Sequence, residues 1–270
     1  MPYPRLNARF PRKRAFITGA GSGLGLELAR ALADDGWSLG LFDRNLEKLT
    51  KVEGTLSAAG IPVLAYPGDV TQADELTVAV NSFAATHDGL DLMINNAGVA
   101  GCGTLMEVSP EDWRWIIDIN LMGVVHGCRA AVPHLQRNGS GLLINVASAA
   151  AFVSAPGMGS YSASKAAVLS LSETLASELR AANIQVSVVM PTYFKTELLD
   201  SIRGPDHLRA AAATRMNNAT YPARAIANEV LLMASAGKLY ILAPKETRRL
   251  WRMKRWMPEW FLNKVAALRD

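Results

Sequence analysis

Apolar and polar positions follow two different patterns along this chain. Short, continuous apolar runs each end at a glycine, a proline or a small polar residue, and the longer stretches between them repeat apolar residues with a helical period. Such runs, alternating with amphipathic helices, are typical of parallel strands that helices cover on both faces. The pattern predicts seven strands, which end at or near Gly19, Asp43, Asp69, Gly98, Ser148, Pro191 and Pro244.

The predicted elements form most simply one doubly wound α/β domain around a mostly seven-stranded parallel sheet. Ligands bind such sheets outside the carboxyl ends of the strands, so the polar residues that follow the strands should meet in one crevice. The helices that would cover both faces are predicted at 24–35, 45–59, 72–87, 110–137, 160–181 and 222–236.

The composition of the 270 residues is that of a globular protein, with 50% hydrophobic and 19% charged residues. The sequence has no apolar window of about 18 residues, so we expect no membrane-spanning helix. The basic N-terminus is not followed by the apolar run of a secretory signal. Cys102 and Cys128 are the two cysteines, which indicates a reducing compartment and a cytoplasmic protein. The four histidines lack metal-ligand spacing, so no metal site is expected.

The net charge of +4 conceals two basic ends on an acidic body. Residues 1–14 carry five basic residues and no acidic one, and residues 245–270 carry eight basic and three acidic residues, so each end has a charge of +5. The remaining chain therefore has a charge of −6. We accordingly expect a main domain at 1–244 and a basic C-terminal extension at 245–270.

The C-terminal extension also carries Trp251, Trp256, Trp260 and Phe261. Basic residues interleaved with tryptophan are typical of a helix that makes peripheral contact with a membrane. Docking on the main domain or on a partner subunit is the alternative, and we favour it because Pro258 interrupts the predicted helical segment. Nucleic-acid binding is not expected, since the extension has no recognition motif.

The sequence TGAGSGLG, at Thr18–Gly25, follows the first predicted strand and opens the first predicted helix. Glycines at positions 19, 23 and 25 allow a tight turn and a close approach of the backbone to a ligand. The helix N-terminus then offers free N–H groups and a positive dipole end to a pyrophosphate. A glycine-rich turn without a ligand is the alternative interpretation.

Asp43 ends the second predicted strand, where a carboxylate can accept hydrogen bonds from both hydroxyls of an adenosine ribose. Because it would also repel a 2′-phosphate, Asp43 favours NAD over NADP, whereas the adjacent Arg44 could favour the phosphate. Asp69 and Val70 could hold the adenine edge. Either aspartate could instead cap the helix that follows it.

Tyr161 and Lys165 are four residues apart in a predicted helix and therefore share one face. An ammonium about 4 Å from a phenolate, at an effective dielectric constant of about 20, attracts it by about 4 kcal/mol. This attraction would lower the tyrosine pKa from about 10 towards 7, where a general acid/base works best. The alternative is an exposed and weakly interacting surface pair.

Several motifs together resemble those of the short-chain dehydrogenase/reductase family. They are TGAGSGLG at 18–25, Asp69, NNAG at 95–98, Asn120, Ser148, YSASK at 161–165, and Pro191 with Thr196. The resemblance implies a Rossmann-type domain at 1–244 that binds NAD or NADP and interconverts an alcohol and a ketone or aldehyde. A nucleotide-binding regulatory protein of the same fold, without catalytic turnover, is the alternative.

The resemblance also implies a role for each of four catalytic residues. Tyr161 would exchange a proton with the substrate oxygen, and Lys165 would lower the tyrosine pKa and bind the nicotinamide ribose. Ser148 would hold the substrate oxygen, and Asn120 would anchor a water that relays protons from Lys165. Taken singly, Asn120 could be a buried core residue and Ser148 a cap at the strand end.

The implied cofactor contacts are Gly19, Gly21, Ser22, Gly23, Leu24, Gly25, Asp43, Arg44, Asp69, Val70, Asn95, Ala97, Gly98, Tyr161, Lys165, Pro191, Thr192, Phe194 and Thr196. The candidate substrate contacts are Ser148, Ala149, Phe152, Met158, Tyr161 and Phe194. Most of the latter side chains are apolar, which favours a hydrophobic substrate, and packing in the core is the alternative explanation for each of them singly.

This chain departs from the family pattern at Thr192, where a glycine usually follows the proline. Residues of about 194–221 vary in the family and cover the substrate, so we expect a short helical lid there. The long helices predicted at 110–137 and 160–181 suggest a homodimer by resemblance, with a homotetramer as the alternative.

Overall fold

Seven parallel strands form one sheet in a computed structural model that describes residues 3–194, 198 and 201–267. The strand order is β3-β2-β1-β4-β5-β6-β7, which confirms the predicted doubly wound architecture. The strands are β1 (Arg14–Thr18), β2 (Ser38–Asp43), β3 (Val63–Pro67), β4 (Leu92–Asn95), β5 (Gly141–Val146), β6 (Ile184–Val189) and β7 (Tyr240–Ile241).

Helices cover both faces of the sheet because the central strands are apolar on both sides. All five residues of β1 and all six of β5 are buried. Helices α1, α2, α3 and α10 enclose one apolar core, and α4, α5, α6 and α8 enclose the other. The helices are α1 (Pro4–Arg9), α2 (Gly23–Ala33), α3 (Leu46–Ala58), α4 (Ala73–Thr86), α5 (Pro110–Ile117), α6 (Gly123–Arg137), α7 (Ala150–Val153), α8 (Gly159–Glu178), α9 (Asp206–Asn217), α10 (Ala223–Ser235), α11 (Thr247–Trp256) and α12 (Pro258–Ala266).

The chain order places a crevice beside β1. The first three strands build outward on one side of β1, and the chain then crosses to the other side to form β4. The loops after β1 and β4 diverge to opposite faces at this switch point, which opens a cleft at the carboxyl ends of the strands.

The helix predicted at 110–137 is interrupted. A π-helical turn at Asp118–Met122 separates α5 from α6, and the Gly123 N–H donates to the Asp118 carbonyl five residues earlier. Such a turn widens a helix locally and is frequent at functional sites. Asn120 lies in this turn.

Strand β7 is shorter than expected, with only two residues. The segment predicted as a short helical lid contains a helix, α9, of twelve residues. The backbone of Cys102 donates to the Arg203 carbonyl at 2.9 Å, so the start of this segment is attached to the loop after β4. Residues 195–197 and 199–200 of the predicted lid lie outside the described part.

The C-terminal extension docks on the main domain through one face. The Trp251 ring packs edge-on against Phe152, with centroids 5.0 Å apart, and also contacts the ring of Tyr240 at 5.5 Å. Phe261 and Val265 of α12 are buried as well. These contacts agree with the docking alternative. In the described residues, no helix has both the length and the apolar character needed to cross a bilayer.

Candidate active site

The loop between β1 and α2 has the backbone geometry of an anion-binding turn. Gly19 has a φ of +65°, and a Cβ there would lie 2.8 Å from the Ala97 Cα. A Cβ on Gly25 would collide with the Gly19 carbonyl oxygen. Ser22 precedes α2 but its side chain makes no capping hydrogen bond, so the N–H groups of the first turn face the cleft without a side-chain acceptor.

Asp43 connects the end of β2 to this loop. Its carboxylate accepts from the Gly21 N–H and from the Asn45 N–H, each at 2.9 Å. The helix that follows is capped by the Asn45 side chain, which accepts from the Lys48 N–H, so Asp43 is not the capping residue. Each carboxylate oxygen keeps a further acceptor position, and Asp43 lines the cleft.

Asn96, rather than Asn95, holds the end of β4 against the glycine loop. Its amide donates to the carbonyl oxygens of Thr18 and Gly19, each at 3.0 Å. The Asn95 side chain is buried and donates to the Asn145 Oδ1 at 2.9 Å. Residues alternate between the two faces of a strand, and this alternation was the signal that could have distinguished the two asparagines.

The four predicted catalytic residues lie together at the carboxyl ends of β4 and β5. Tyr161 and Lys165 project from α8 and are both buried. The Lys165 ammonium donates to the Val146 carbonyl at 3.0 Å and lies 5.8 Å from the centroid of the Tyr161 ring. Ser148 shares a hydrogen bond with the Tyr161 hydroxyl and also accepts from the Ala150 N–H at 3.2 Å.

The Asn120 side chain is fully buried and makes three hydrogen bonds. Its Oδ1 accepts from the Val99 N–H at 2.8 Å, and its Nδ2 donates to the Val99 carbonyl at 3.0 Å and to the Ser164 Oγ at 3.1 Å. Both amide protons are therefore used in fixing the loop after β4 to α8. The relay of protons through a water at Asn120 stays a prediction.

The pKa of Tyr161 moves opposite to the sequence-based expectation. Burial raises the Tyr161 pKa to about 12, and the hydrogen bond from Ser148 offsets only part of this rise. Burial also lowers the pKa of Lys165 to about 8. The spacing in the sequence does not show that both side chains are buried. Exclusion of water disfavours the charged form of Tyr161 and of Lys165. The expected fall towards 7 is thus wrong for the protein alone.

A cavity of about 380 Å³ joins the glycine loop to Tyr161 and Lys165. The predicted residues that line it are Gly19, Ser22, Gly23, Leu24, Asp43, Arg44, Asp69, Val70, Ala97, Gly98, Tyr161, Lys165, Pro191 and Phe194. Sequence reasoning missed further lining residues, namely Phe42, Asn45, Lys48, Gly68, Asn96, Val99, Ile119, Val146, Ala147, Leu198 and Ser201. Most of these residues are next to a predicted residue in the sequence. Their amino-acid types alone do not indicate contact with a cofactor.

Several other predicted contacts lie outside the walls of this cavity. Phe152 packs against Trp251, and the Met158 backbone pairs with Gly103. The Thr192 N–H donates to the Ala243 carbonyl at 3.1 Å. Thr196 lies outside the described residues. The other such residues are Gly21, Gly25, Asn95, Asn120, Ser148 and Ala149. Throughout the described chain, no three His, Cys, Asp or Glu side chains converge as metal ligands would.

The family model for short chain dehydrogenases matches residues 13–206, most of the chain. The chain belongs to the short-chain dehydrogenase/reductase family. It is therefore an oxidoreductase that acts on alcohol and carbonyl groups with NAD or NADP, as the sequence motifs predicted.

Curated relatives and solved structures are similar to this chain over most of its length. A 3-oxoacyl-(acyl-carrier-protein) reductase of Staphylococcus aureus is 32% identical over 231 residues, which cover 85% of this chain and 93% of that protein. A short-chain dehydrogenase/reductase of Burkholderia phymatum, solved in complex with NAD, superposes with a TM-score of 0.85 at 32% identity and covers 92% of this chain and 94% of its own. A 3-ketoacyl-(acyl-carrier-protein) reductase of Brucella melitensis, complexed with NADH, gives a TM-score of 0.75 at 28% identity, with 85% and 95% coverage.

Substitution of Gly25 tests the glycine loop. In Gly25→Ala the new methyl group meets the Gly19 carbonyl, so we expect the loop to shift and the affinity for NADH, measured by quenching of tryptophan emission, to fall about tenfold or more. Gly54→Ala is the matched control, because a Cβ at this exposed position of α3 meets nothing within 4 Å. It should leave the affinity unchanged. Unchanged affinity in a folded Gly25→Ala protein would contradict the assignment.

Substitution of Lys165 tests the burial of its ammonium. Below pH 8 the native protein holds this proton in a poorly solvated site, and the unfolded chain holds it in water until pH 10.5. Wild-type stability therefore rises, through this group, as the pH increases between these values. The free energy of unfolding of Lys165→Met, relative to the wild type, should fall by about 2 kcal/mol between about pH 7 and pH 10.

Urea unfolding at both pH values measures this difference. Lys51→Met, which removes an exposed lysine on α3, is the matched control and should show no comparable change. If the free energy of unfolding of Lys165→Met relative to the wild type also did not change with pH, the ammonium would not be desolvated in the native protein.

Proposed function

We propose that this protein interconverts a hydrophobic secondary alcohol and its ketone with NAD, and that Tyr161 is the general acid/base. One observation carries the proposal. A single cavity connects the glycine loop and Asp43 at one end to the buried Tyr161 and Lys165 at the other, with Ser148 hydrogen-bonded to the tyrosine hydroxyl.

The residues of the cleft fit a dinucleotide. The N–H groups of the first turn of α2 would bind the pyrophosphate, and the loop can fold this closely because a Cβ at Gly19 or Gly25 would collide with neighbouring backbone atoms. The Asp43 carboxylate would accept from the ribose hydroxyls of the adenosine half. When bound, the nicotinamide supplies hydride transfer, which no side chain can perform.

The chain's own residues would manage the proton. Because the pKa of Tyr161 is raised, its hydroxyl is protonated near neutral pH and can donate to a ketone oxygen. Ser148 would hold that oxygen within reach of the hydroxyl. The Lys165 ammonium, fixed by the Val146 carbonyl, would stabilise the negative charge that develops on the substrate oxygen and then on the phenol. In the oxidation direction Tyr161 must first lose its proton, so alcohol oxidation should increase with pH.

The cavity wall supports a hydrophobic substrate. Val99, Ile119, Phe194 and Leu198 contribute apolar surface to the same cavity as Tyr161. The reductases from Staphylococcus aureus and Brucella melitensis act, by their names, on a 3-oxoacyl or 3-ketoacyl chain, which is a ketone on an aliphatic tail. A medium-chain aliphatic ketone is therefore a suitable first substrate.

Two further predictions complete the proposal. Family membership favours an active enzyme over the nucleotide-binding regulatory protein, since the catalytic tyrosine, lysine, serine and asparagine types are all retained. A homodimer through α5, α6 and α8 is the expected assembly.

Removal of the Tyr161 hydroxyl tests the acid/base assignment. Tyr161→Phe keeps the ring and its packing, so we expect kcat to fall by about a factor of 10² to 10⁴ while the Kd for NADH stays unchanged. Tyr66→Phe is the matched control, since the Tyr66 hydroxyl lies outside the cavity wall, where it contacts the Ser82 Oγ at 3.5 Å. Near-full turnover of Tyr161→Phe would refute the role. Binding of NADH by the wild type without turnover on any ketone or alcohol would favour the regulatory protein.

Substitution of Asp43 tests the choice of NAD. Asp43→Asn keeps the size of the side chain and removes its charge, so the repulsion of a 2′-phosphate should disappear. We expect the ratio of the Kd values for NADPH and NADH to fall about tenfold or more. Arg44→Ala tests the alternative that Arg44 binds the 2′-phosphate. In that case the wild type would prefer NADPH, and Arg44→Ala would remove the preference. An unchanged ratio in Asp43→Asn would contradict the proposal.

A further inference from the structure

We propose that the outer face of the C-terminal extension binds the surface of an anionic phospholipid bilayer. Helices α11 and α12 meet at an elbow formed by Met257 and Pro258, and each helix has two faces of opposite character. The inner face docks on the main domain through Trp251, Phe261 and Val265.

The outer face of the elbow is apolar and exposed. Trp256 is 85% exposed, Met257 47% and Trp260 46%, and Leu262, on the other side of the buried Phe261, is also exposed. These are the largest apolar side chains of the extension apart from those that dock inward. An indole ring combines a large apolar body with a polar N–H, which suits the boundary between headgroups and acyl chains.

Basic residues surround this apolar surface. Arg249, Arg252 and Trp256 follow one stripe of α11 at spacings of three and four residues, and Lys264 lies one turn after Trp260 on α12. The ammonium of Lys264 lies 5.8 Å from the centroid of the exposed Trp260 ring, which places a positive charge beside the indole. The described part of the extension, residues 245–267, carries seven basic and two acidic residues.

Charge selects the bilayer over a second copy of the chain. A symmetric dimer through this face would place the same patch against itself, and the basic residues of the two copies would repel each other. An anionic bilayer attracts basic residues near its surface. The apolar elbow and the basic stripe are thus complementary to an acyl boundary and to phosphate headgroups respectively. Attachment would be peripheral, because neither helix is long enough to span.

Vesicle co-sedimentation of the full chain tests this inference. The wild type should bind vesicles that contain phosphatidylglycerol, bind pure phosphatidylcholine vesicles much more weakly, and lose binding as the salt concentration rises. Bromine-labelled acyl chains should quench tryptophan emission on binding. Absence of binding to phosphatidylglycerol vesicles at low salt would overturn the proposal, as would equal binding to both kinds of vesicle.

Two pairs of variants separate the apolar and the electrostatic contributions. Trp256→Ser with Trp260→Ser should abolish vesicle binding, whereas Val78→Ser with Leu232→Ser, which alters two exposed apolar residues elsewhere, should not. Arg249→Glu with Arg252→Glu should weaken binding about tenfold or more. Lys51→Glu with Arg180→Glu changes the net charge equally, at exposed positions outside the extension, and should have little effect.

Stability, activity and mass in solution show whether a loss of vesicle binding comes from the outer face itself. Each variant should keep the thermal stability, NADH affinity and dehydrogenase activity of the wild type, because none of these residues touches the cleft. The mass in solution, measured by light scattering, should also be unchanged by Trp256→Ser with Trp260→Ser. If this pair instead dissociated an oligomer, the face would be a subunit interface and the lipid proposal would be wrong.

Discussion

The site depends on the exclusion of water from Tyr161 and Lys165. In this chain the phenol and the amine are buried in the wall of the cleft, where the phenol is hydrogen-bonded to Ser148 and the amine to the Val146 carbonyl. Burial disfavours the charged form of both, so the resting pair tends towards a neutral phenol and an easily deprotonated amine. A negative charge that develops on a substrate oxygen here interacts strongly with the ammonium, because little water screens it.

The rest of the fold holds this pair at a fixed distance from the glycine loop. Lys165 is fixed by β5, Asn120 fastens the loop after β4 to α8, and Asn96 fastens the same loop to the end of β1. These hydrogen bonds connect the ends of β1, β4 and β5 to one another and to α8. They would hold both halves of a dinucleotide at a defined distance from one tyrosine.

Periodicity predicted the sheet, the glycine loop and the common face of Tyr161 and Lys165, because these features depend on local spacing. It could not predict the sign of the tyrosine pKa shift, which depends on how much water the folded protein removes. Asn95 is assigned to the cleft by the resemblance of NNAG at 95–98 to the family motif, whereas the Asn95 side chain is buried and Asn96 holds the glycine loop. Phe152 likewise suits a substrate pocket until α11 covers it with Trp251, a contact between residues far apart in sequence.

The same consideration of solvation explains the C-terminal extension. A tryptophan costs little to bury when its neighbours are aromatic, and Trp251 finds Phe152 and Tyr240 on the main domain. Trp256, on another face of the same helix, is exposed to solvent. An indole that is 85% exposed gains little stability from packing within the described chain, and the membrane surface proposed above would give it a binding role. Because α11 packs on α7, the helix that directly follows Ser148 and Ala149, a bilayer beneath the extension would lie close to the substrate end of the cleft. The proposed lipid binding and the apolar cavity wall would both suit a substrate that partitions into membranes.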